Sequence, residues 1–210
     1  STAGTARALT VALHAAQNFG CRVTTTTISE NQFSFARQRV QEAGLADRIT
    51  VLSQDYRDLQ GQFAKLVSVE MIEAVGHRFM DQYFRICSER LKPAGRMLLQ
   101  SLTIADRYHE QAMHAVDFIQ KYIFPGGALP SLGAISSAVA RVTDLQISHL
   151  HDIGIDYART LRIWRERFMN RLPEVRSLGY PEEFIRMWEW YLAYCEAGFL
   201  ERAISTVQLV

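Results

Sequence analysis

The sequence predicts an α/β fold built on a doubly wound, mostly parallel sheet, and three observations carry that expectation. Helical and extended patterns alternate in the order α-β-α-β-β-α-β as far as residue 102. Residues 63–69 form a largely apolar run that reads as a strand buried on both faces of a parallel sheet. Polar residues gather where the strands end, notably Glu70 and Glu73 just past that run. Open α/β sheets bind ligands in the crevice beyond such strand ends. Helix capping or plain surface exposure would account for the same two acids.

Each element follows from its residues. Positions 1–20 place Leu9, Ala12, Leu13 and Ala16 at helical spacing, closed by Gly20. Residues 21–28 hold four consecutive threonines, which favour extended backbone. Ser29-Glu30-Asn31-Gln32 is a capping-box pattern, and Phe33, Ala36, Val40 and Ala43 supply the buried face of the helix it opens. Gly44 ends that helix, 49–53 reads as a short strand, and Gln54-Asp55-Tyr56-Arg57-Asp58-Leu59 is the loop at its carboxyl end. Phe79, Tyr83, Phe84, Cys87 and Leu91 make the stripe of another helix, stopped by Lys92-Pro93-Ala94-Gly95, with the next strand at 96–102.

Beyond residue 103 the pattern changes. A helix is expected over 108–122, then a break at Phe124-Pro125-Gly126-Gly127, a short helix over 131–140 and a strand over 144–150. Two aromatic-rich helices follow at 156–172 and 181–202, and a strand at 205–210 closes the chain. No repeat or low-complexity linker interrupts the sequence, so one domain over 1–210 is expected, with helical insertions at about 103–143 and 155–202.

Composition narrows the function classes. A hydrophobic content of 48% and a formal charge of +1 fit a domain with a real core and argue against a dedicated nucleic-acid binder. The three cysteines are widely spaced, without the intervals of a metal site, and suit free thiols in a reducing cytoplasm. No apolar run approaches the ~18 residues of a membrane span, so a soluble or peripheral chain is expected.

Five stretches carry a family resemblance: residues 23–32, residues 54–59, Ser68-Val69-Glu70-Met71-Ile72-Glu73-Ala74-Val75-Gly76-His77, Lys121-Tyr122-Ile123-Phe124-Pro125-Gly126-Gly127, and residues 152–161. In this order and spacing, from about Ala12 to Val210, the chain resembles the cyclopropane-fatty-acyl-phospholipid synthase and mycolic-acid cyclopropane synthase family. The resemblance implies a class I methyltransferase sheet, with a helical lipid-binding insertion, and S-adenosylmethionine as cofactor. It places Thr27, Ile28 and Gln32 against the cofactor's ribose and methionine side, Asp55 and Tyr56 around the adenine, and Val69 beside the sulfonium. The capping box explains Gln32 equally well, and a turn aspartate explains Asp55. The family's first strand and glycine-rich loop find no counterpart in Ser1-Thr2-Ala3-Gly4-Thr5-Ala6-Arg7-Ala8, so a domain truncated at its amino end, or a degenerate homologue, is expected.

The resemblance also implies the chemistry. In the family, a cis double bond of a phospholipid acyl chain takes the methyl group and the resulting cation loses a proton to close a cyclopropane. A bound bicarbonate ion is the base; Glu73 and Tyr157 fall on its expected holders. Gln100 stands where many relatives carry histidine, which leaves methyl- or methylene-branched products open. Tyr122, Phe124, Trp188, Tyr191 and Phe199 are candidates for the acyl-chain lining, or simply for the core. Arg159, Arg162, Arg165, Arg167 and Arg171 suit a phospholipid headgroup or a solvated face in equal measure. Partners implied are an unsaturated phospholipid acyl chain, an anionic membrane surface at the cytoplasmic inner face and, compatibly, a second copy in a homodimer. A non-catalytic lipid-binding protein is the competing class.

Overall fold

A computed structural model describes the backbone of residues 2–210 and the side chains from Ala8 onward. Helix α1 (Thr2–Phe19) leads into strand β1 (Val23–Thr27), helix α2 (Glu30–Glu42) and strand β2 (Ile49–Ser53). Ser29 caps α2 by accepting from the Gln32 N–H, as its sequence pattern predicts. β1 and β2 pair in parallel, Val23 opposite Ile49 through Thr27 opposite Ser53. Under α1 and α2 they close a small core of Leu9, Ala12, Ala16, Ala36, Val40 and Ile49.

The second half is larger. Strand β3 (Phe63–Val69), helix α3 (Ile72–Val75), helix α4 (Met80–Glu89) and strand β4 (Leu91–Ile104) form a β-α-β unit with β3 parallel to β4. Helices α5 (Asp106–Met113), α6 (Phe118–Tyr122) and α7 (Leu132–Val142) follow, then strand β5 (Leu150–Asp152). Helices α8 (Gly154–Asn170), α9 (Leu172–Ser177) and α10 (Glu182–Leu200) precede strand β6 (Ile204–Leu209). The four strands order as β3-β4-β6-β5, with β6 antiparallel to both neighbours.

Strand β4 alternates with the pleat: Leu99, Ser101 and Thr103 are buried, whereas Leu98, Gln100 and Leu102 are only partly so. The buried side meets α4 and α7 in a core of Tyr83, Phe84, Cys87, Leu99, Ile135, Val139, Val207 and Leu209. There the Tyr83 hydroxyl donates to Ser68 Oγ at 2.7 Å, and burial pushes the Cys87 thiol up to about 12. Asp81 of α4 and Arg141 of α7 clamp the layer with a two-pronged ion pair at 2.9 and 2.6 Å.

Several expectations are corrected. The sheet is divided: among the described residues β1 pairs only with β2 and β3 only with β4, while α1 packs on β1 and reaches β3. The run 63–69 is therefore not buried on both faces; Val67 is 48% exposed. Its outer face, with α1, β4 and β6, walls a groove of about 700 Å³ that includes Val69, Gln100 and Gln208. Pro93 does not delay β4 until residue 96. The strand begins at Leu91 and bulges, with the register jumping from Phe63 opposite Leu91 to Lys65 opposite Arg96. Gly95 is required in that bulge, because a Cβ there would come within 2.8 Å of the Lys92 carbonyl. The helix expected over 108–122 breaks into α5 and α6, since Asp117 starts a new helix by forming a capping box with Gln120. The strand expected over 144–150 shrinks to Leu150–Asp152.

Candidate active site

The carboxyl ends of β1, β2, β3 and β4 bring the sequence-selected residues to the polar edges of the two sheets. Thr27 ends β1, and its hydroxyl donates to Gln32 Oε1 at 2.7 Å in the first turn of α2. Next to it Ile28 is 79% exposed, an apolar side chain at a polar strand end. The loop after β2 is tied to β1 by the Thr26 hydroxyl, which donates to the Gln54 carbonyl. There Asp55 accepts from the Arg57 N–H at 2.9 Å and takes its guanidinium as a fork at 2.9 and 2.7 Å. The Arg57 side-chain hydrogen bond, acting against partial burial, holds the Asp55 carboxyl below its ordinary value. Tyr56 turns into the larger half and meets Tyr83 edge-on, with ring centroids 5.8 Å apart.

These residues fit an adenosyl group by their chemistry. A carboxylate offers about four acceptor sites. Asp55 uses three of them on Arg57, which leaves one for an exocyclic amine. Ile28 offers an apolar surface for a base and Gln32 an amide that can donate to a ribose hydroxyl. Tyr56 packs on Tyr83 with the two ring planes inclined by 64°.

The second cluster lies on the larger sheet. Glu73, on α3, accepts from the Leu102 N–H at 2.6 Å and from the Ser101 hydroxyl at 3.1 Å. Tyr157 rises from the first turn of α8 and stacks on Phe199, with centroids 4.9 Å apart and planes inclined by 22°. Leu102, whose N–H donates to Glu73, packs against the same buried cluster of Ala158, Leu161, Leu192 and Phe199 as Tyr157 does. Gly154 makes this docking possible, because a Cβ there would collide with the Ser205 side chain of β6. Gln100 lies two residues before Leu102 on the same face. Its amide donates to Glu70 Oε1 at 3.0 Å and accepts from Gln208 at 2.9 Å.

The aromatic candidates separate. Phe199 is buried between α8 and α10, whereas Tyr122 and Phe124 are exposed. Trp188 and Tyr191 continue a ring row that runs from Tyr180, just before α10, through Phe184, and its end reaches Phe124 at 6.3 Å. The arginines of α8 are largely engaged. Arg162 and Arg165 grip Glu196 of α10 at 2.8 and 3.0 Å, Arg159 pairs with Asp156, and Arg171 lies 3.8 Å from Glu174. Arg167 has no ion pair among the described residues. Sequence reasoning missed Gln208 and the acceptor role of Glu196, both joined to their partners only by the fold.

Comparison with known proteins places this geometry. The family profile described as mycolic acid cyclopropane synthetase matches residues 9–209. The chain is 45% identical over 189 residues to tuberculostearic acid methyltransferase UfaA1 of Mycobacterium tuberculosis, covering 90% of this chain and 44% of the relative. It is 38% identical over 200 residues to cyclopropane-fatty-acyl-phospholipid synthase of Escherichia coli, covering 95% and 50%. The chain thus spans about half the length of these curated relatives. In fold it is similar to the cyclopropane synthase MmaA2 from Mycobacterium tuberculosis, with a TM-score of 0.81 and 23% identity over 93% of this chain and 71% of that one. It is equally similar to the mycolic acid cyclopropane synthase CmaA1 solved with SAH and CTAB, with a TM-score of 0.82 and 24% identity over 94% and 72%. The α/β architecture with its mostly parallel sheet is the methyltransferase fold of those structures, and the chain belongs to the mycolic acid cyclopropane synthetase family.

Proposed function

We propose that this chain carries the catalytic half of an S-adenosylmethionine-dependent C-methyltransferase acting on the cis double bond of an unsaturated phospholipid acyl chain. The observation that carries the reading is that Leu102, hydrogen-bonded through its N–H to Glu73, packs on the same apolar cluster as Tyr157, in a chain whose family is established from residue 9 to residue 209. When bound, S-adenosylmethionine supplies an electrophilic methyl group. Thr27, Ile28, Gln32, Asp55, Tyr56 and Val69 are the residues that would hold it.

An alkene is a weak nucleophile and the cation it forms is short-lived, so the protein's contribution is placement, exclusion of water and aromatic faces near the charge. Trp188, Tyr191 and Phe124 offer such faces in one row. Glu73 and Tyr157 would hold a bicarbonate ion, the one accepting its O–H and the other donating a phenol hydrogen. When bound, the ion would supply the base for the proton lost from the transferred methyl group as the cation closes to a cyclopropane fatty acid.

Gln100 favours a second product. Both ends of its amide are in use, and an amide cannot carry a proton as an imidazole does; a 1,2-hydride shift in the cation followed by proton loss from the transferred methyl group then gives a methylene-branched chain, and proton loss from a neighbouring chain carbon a methyl-branched alkene. The similarity to a tuberculostearic acid methyltransferase points the same way. Membrane docking at the inner face is part of this proposal, because the substrate is a lipid. The ion pairs to Glu196 take Arg162 and Arg165 out of its electrostatic share, which then rests on the remaining arginines, Arg167 first. Salt-dependent binding to anionic vesicles tests that share.

The non-catalytic alternative draws on the divided sheet, in which β1 and β3 each keep an edge open. Mass spectrometry of fatty acids from cells expressing wild type, Glu73→Gln and Gln100→His separates the readings. The expected result is a fall of about 10²-fold in product for Glu73→Gln, the usual range for loss of general-base help. For Gln100→His a shift of product toward cyclopropane is expected. Full activity in Glu73→Gln removes that residue from the mechanism, and no methylated lipid from wild type supports the non-catalytic reading.

A further inference from the structure

Three side chains at the end of β3 form one hydrogen-bonded chain across three strands. Gln208 Nε2 of β6 donates to Gln100 Oε1 of β4 at 2.9 Å, and Gln100 Nε2 donates to Glu70 Oε1 at 3.0 Å. Gln100 and Gln208 are register partners, and the Glu70 N–H donates to the Gln100 carbonyl at 2.8 Å, so the backbone fixes the same three positions. A primary amide used at both ends has one orientation. The acceptor-only Glu70 carboxylate fixes the Gln100 NH₂ toward itself, since the reversed amide would set its oxygen against the carboxylate, and the Gln208 NH₂ completes the chain by holding Gln100 Oε1.

Glu70 is itself unusual. Its φ is +48°, and among the described residues only Ala94 and Arg202 share a positive φ without being glycine. A left-handed backbone is strained for an L-residue and is kept where the surroundings over-determine it, often at functional sites. Ala94 lies in the β4 bulge and Arg202 in the turn before β6, whereas Glu70 stands at the carboxyl end of a parallel strand, where ligands of open sheets bind. A glycine would be relaxed at this position; a carboxylate is present instead, and two glutamines aim it.

We propose that Glu70 is a binding residue for the sulfonium charge of S-adenosylmethionine, with Gln100 and Gln208 as its positioning residues. The inference rests on the cofactor reading above, which puts the sulfonium beside Val69, and it adds the next side chain along the strand. The methyl donor and its product, S-adenosylhomocysteine, differ by one methyl group and one positive charge. A carboxylate distinguishes them by charge: it attracts the sulfonium and is indifferent to the neutral thioether, so the spent cofactor leaves more easily. For charges roughly 5 Å apart in a partly solvated site, a preference of about tenfold is expected after desolvation.

Calorimetric titration of both ligands into the full chain tests this without reference to turnover. Glu70→Gln should bind S-adenosylmethionine about tenfold more weakly while its affinity for S-adenosylhomocysteine moves less than about twofold. Glu70→Gly removes the same charge while relieving the left-handed backbone, so it guards against a folding defect and should show the same loss of discrimination. Gln208→Leu keeps the charge but frees the Gln100 amide, and a smaller loss of about threefold, again confined to the sulfonium ligand, is expected. Equal weakening toward both ligands in these variants, or unchanged affinity for both, overturns the assignment of Glu70. Binding of neither ligand by the wild-type chain overturns the cofactor reading itself, and this inference with it.

Discussion

The β1–β2 half and the β3–β4–β6–β5 half do different jobs with different resources. The smaller half holds Thr27, Ile28, Gln32 and Asp55 and closes on six buried residues, three of them alanines. The larger half holds Glu70, Glu73, Gln100 and Tyr157 and buries Tyr83, Phe84, Leu99, Ile135 and Phe199 in two adjoining clusters. A two-stranded sheet is marginal by itself in water. What ties the smaller half to the larger is α1, which touches β1 and β3, and the Tyr56 ring, which leaves the β2 loop to pack on Tyr83. Residues suited to cofactor recognition thus stand on the less buried support, and those suited to the chemistry on the firmer one.

Core substitutions on each side test that contrast most severely. Phe84, 2% exposed between α4 and the sheet, should lose about 3–5 kcal/mol on Phe84→Ala, because transfer and cavity costs add. Denaturant unfolding should show the loss as a shift of the whole transition. Ile49→Ala in β2 should cost about 2–3 kcal/mol, and hydrogen exchange should place it locally: faster in α1, β1, α2 and β2, unchanged in β4 and β6. Equal acceleration in β4 would show that the halves open as one unit and would dissolve the comparison.

Asp55 sharpens it at the next level of effect. Its carboxylate is held below the ordinary range by Arg57, so it stays ionised throughout the neutral and mildly acid region. Binding of S-adenosylmethionine to Asp55→Ala should weaken roughly ten- to a hundredfold by calorimetry, the cost of a charge-assisted hydrogen bond. Asp55→Asn, which keeps an acceptor for Arg57, should lose less. If the adenine is held elsewhere, the alanine variant will bind as wild type does.

Local patterns made most elements legible, and distance in the chain hid most of the site. The Ser29 cap and the Gly20 stop are short-range features, and each forms where its residues predict; the α4 stripe keeps Tyr83, Phe84 and Cys87 but leaves Phe79 before the helix and Leu91 in β4. Glu73 and Tyr157 were placed by resemblance; no periodicity joins residues 84 positions apart in the chain. The exposed outer face of β3 was misread, because an apolar run records what a strand is suited to touch and not whether a covering layer is present. The Pro93 bulge was misread for a related reason: proline is excluded from central ladder positions but tolerated in a bulge, and only the register shows the bulge. Gln208 carried no local signal, since its meaning is the cross-strand pairing with Gln100.

The arginines of α8 give the smallest effect and the clearest case of a pattern with two meanings. Read along the helix they resemble a phosphate-binding face; in the fold, Arg162 and Arg165 converge on Glu196, whose side chain is 8% exposed, from the neighbouring α10. Burial by itself would raise the Glu196 pKa, but hydrogen bonds from the two guanidiniums outweigh it and hold the carboxyl below its ordinary value. A carboxylate depressed in the folded state contributes stability that is fully present above its unfolded pKa, about 4.3, and is lost as pH falls through the folded value. Breaking a fully buried pair costs about 3–5 kcal/mol. The Arg162 side chain is 52% exposed and can rehydrate, so Glu196→Gln should cost only about 1–2 kcal/mol at pH 7. Urea unfolding at stepped pH should show the gap between wild type and variant constant from pH 7 to about 5 and narrowing below about 4. A gap that persists undiminished to pH 3 would mean that Glu196 acts through its packing between α8 and α10, and the arginines would then be available again for an anionic surface.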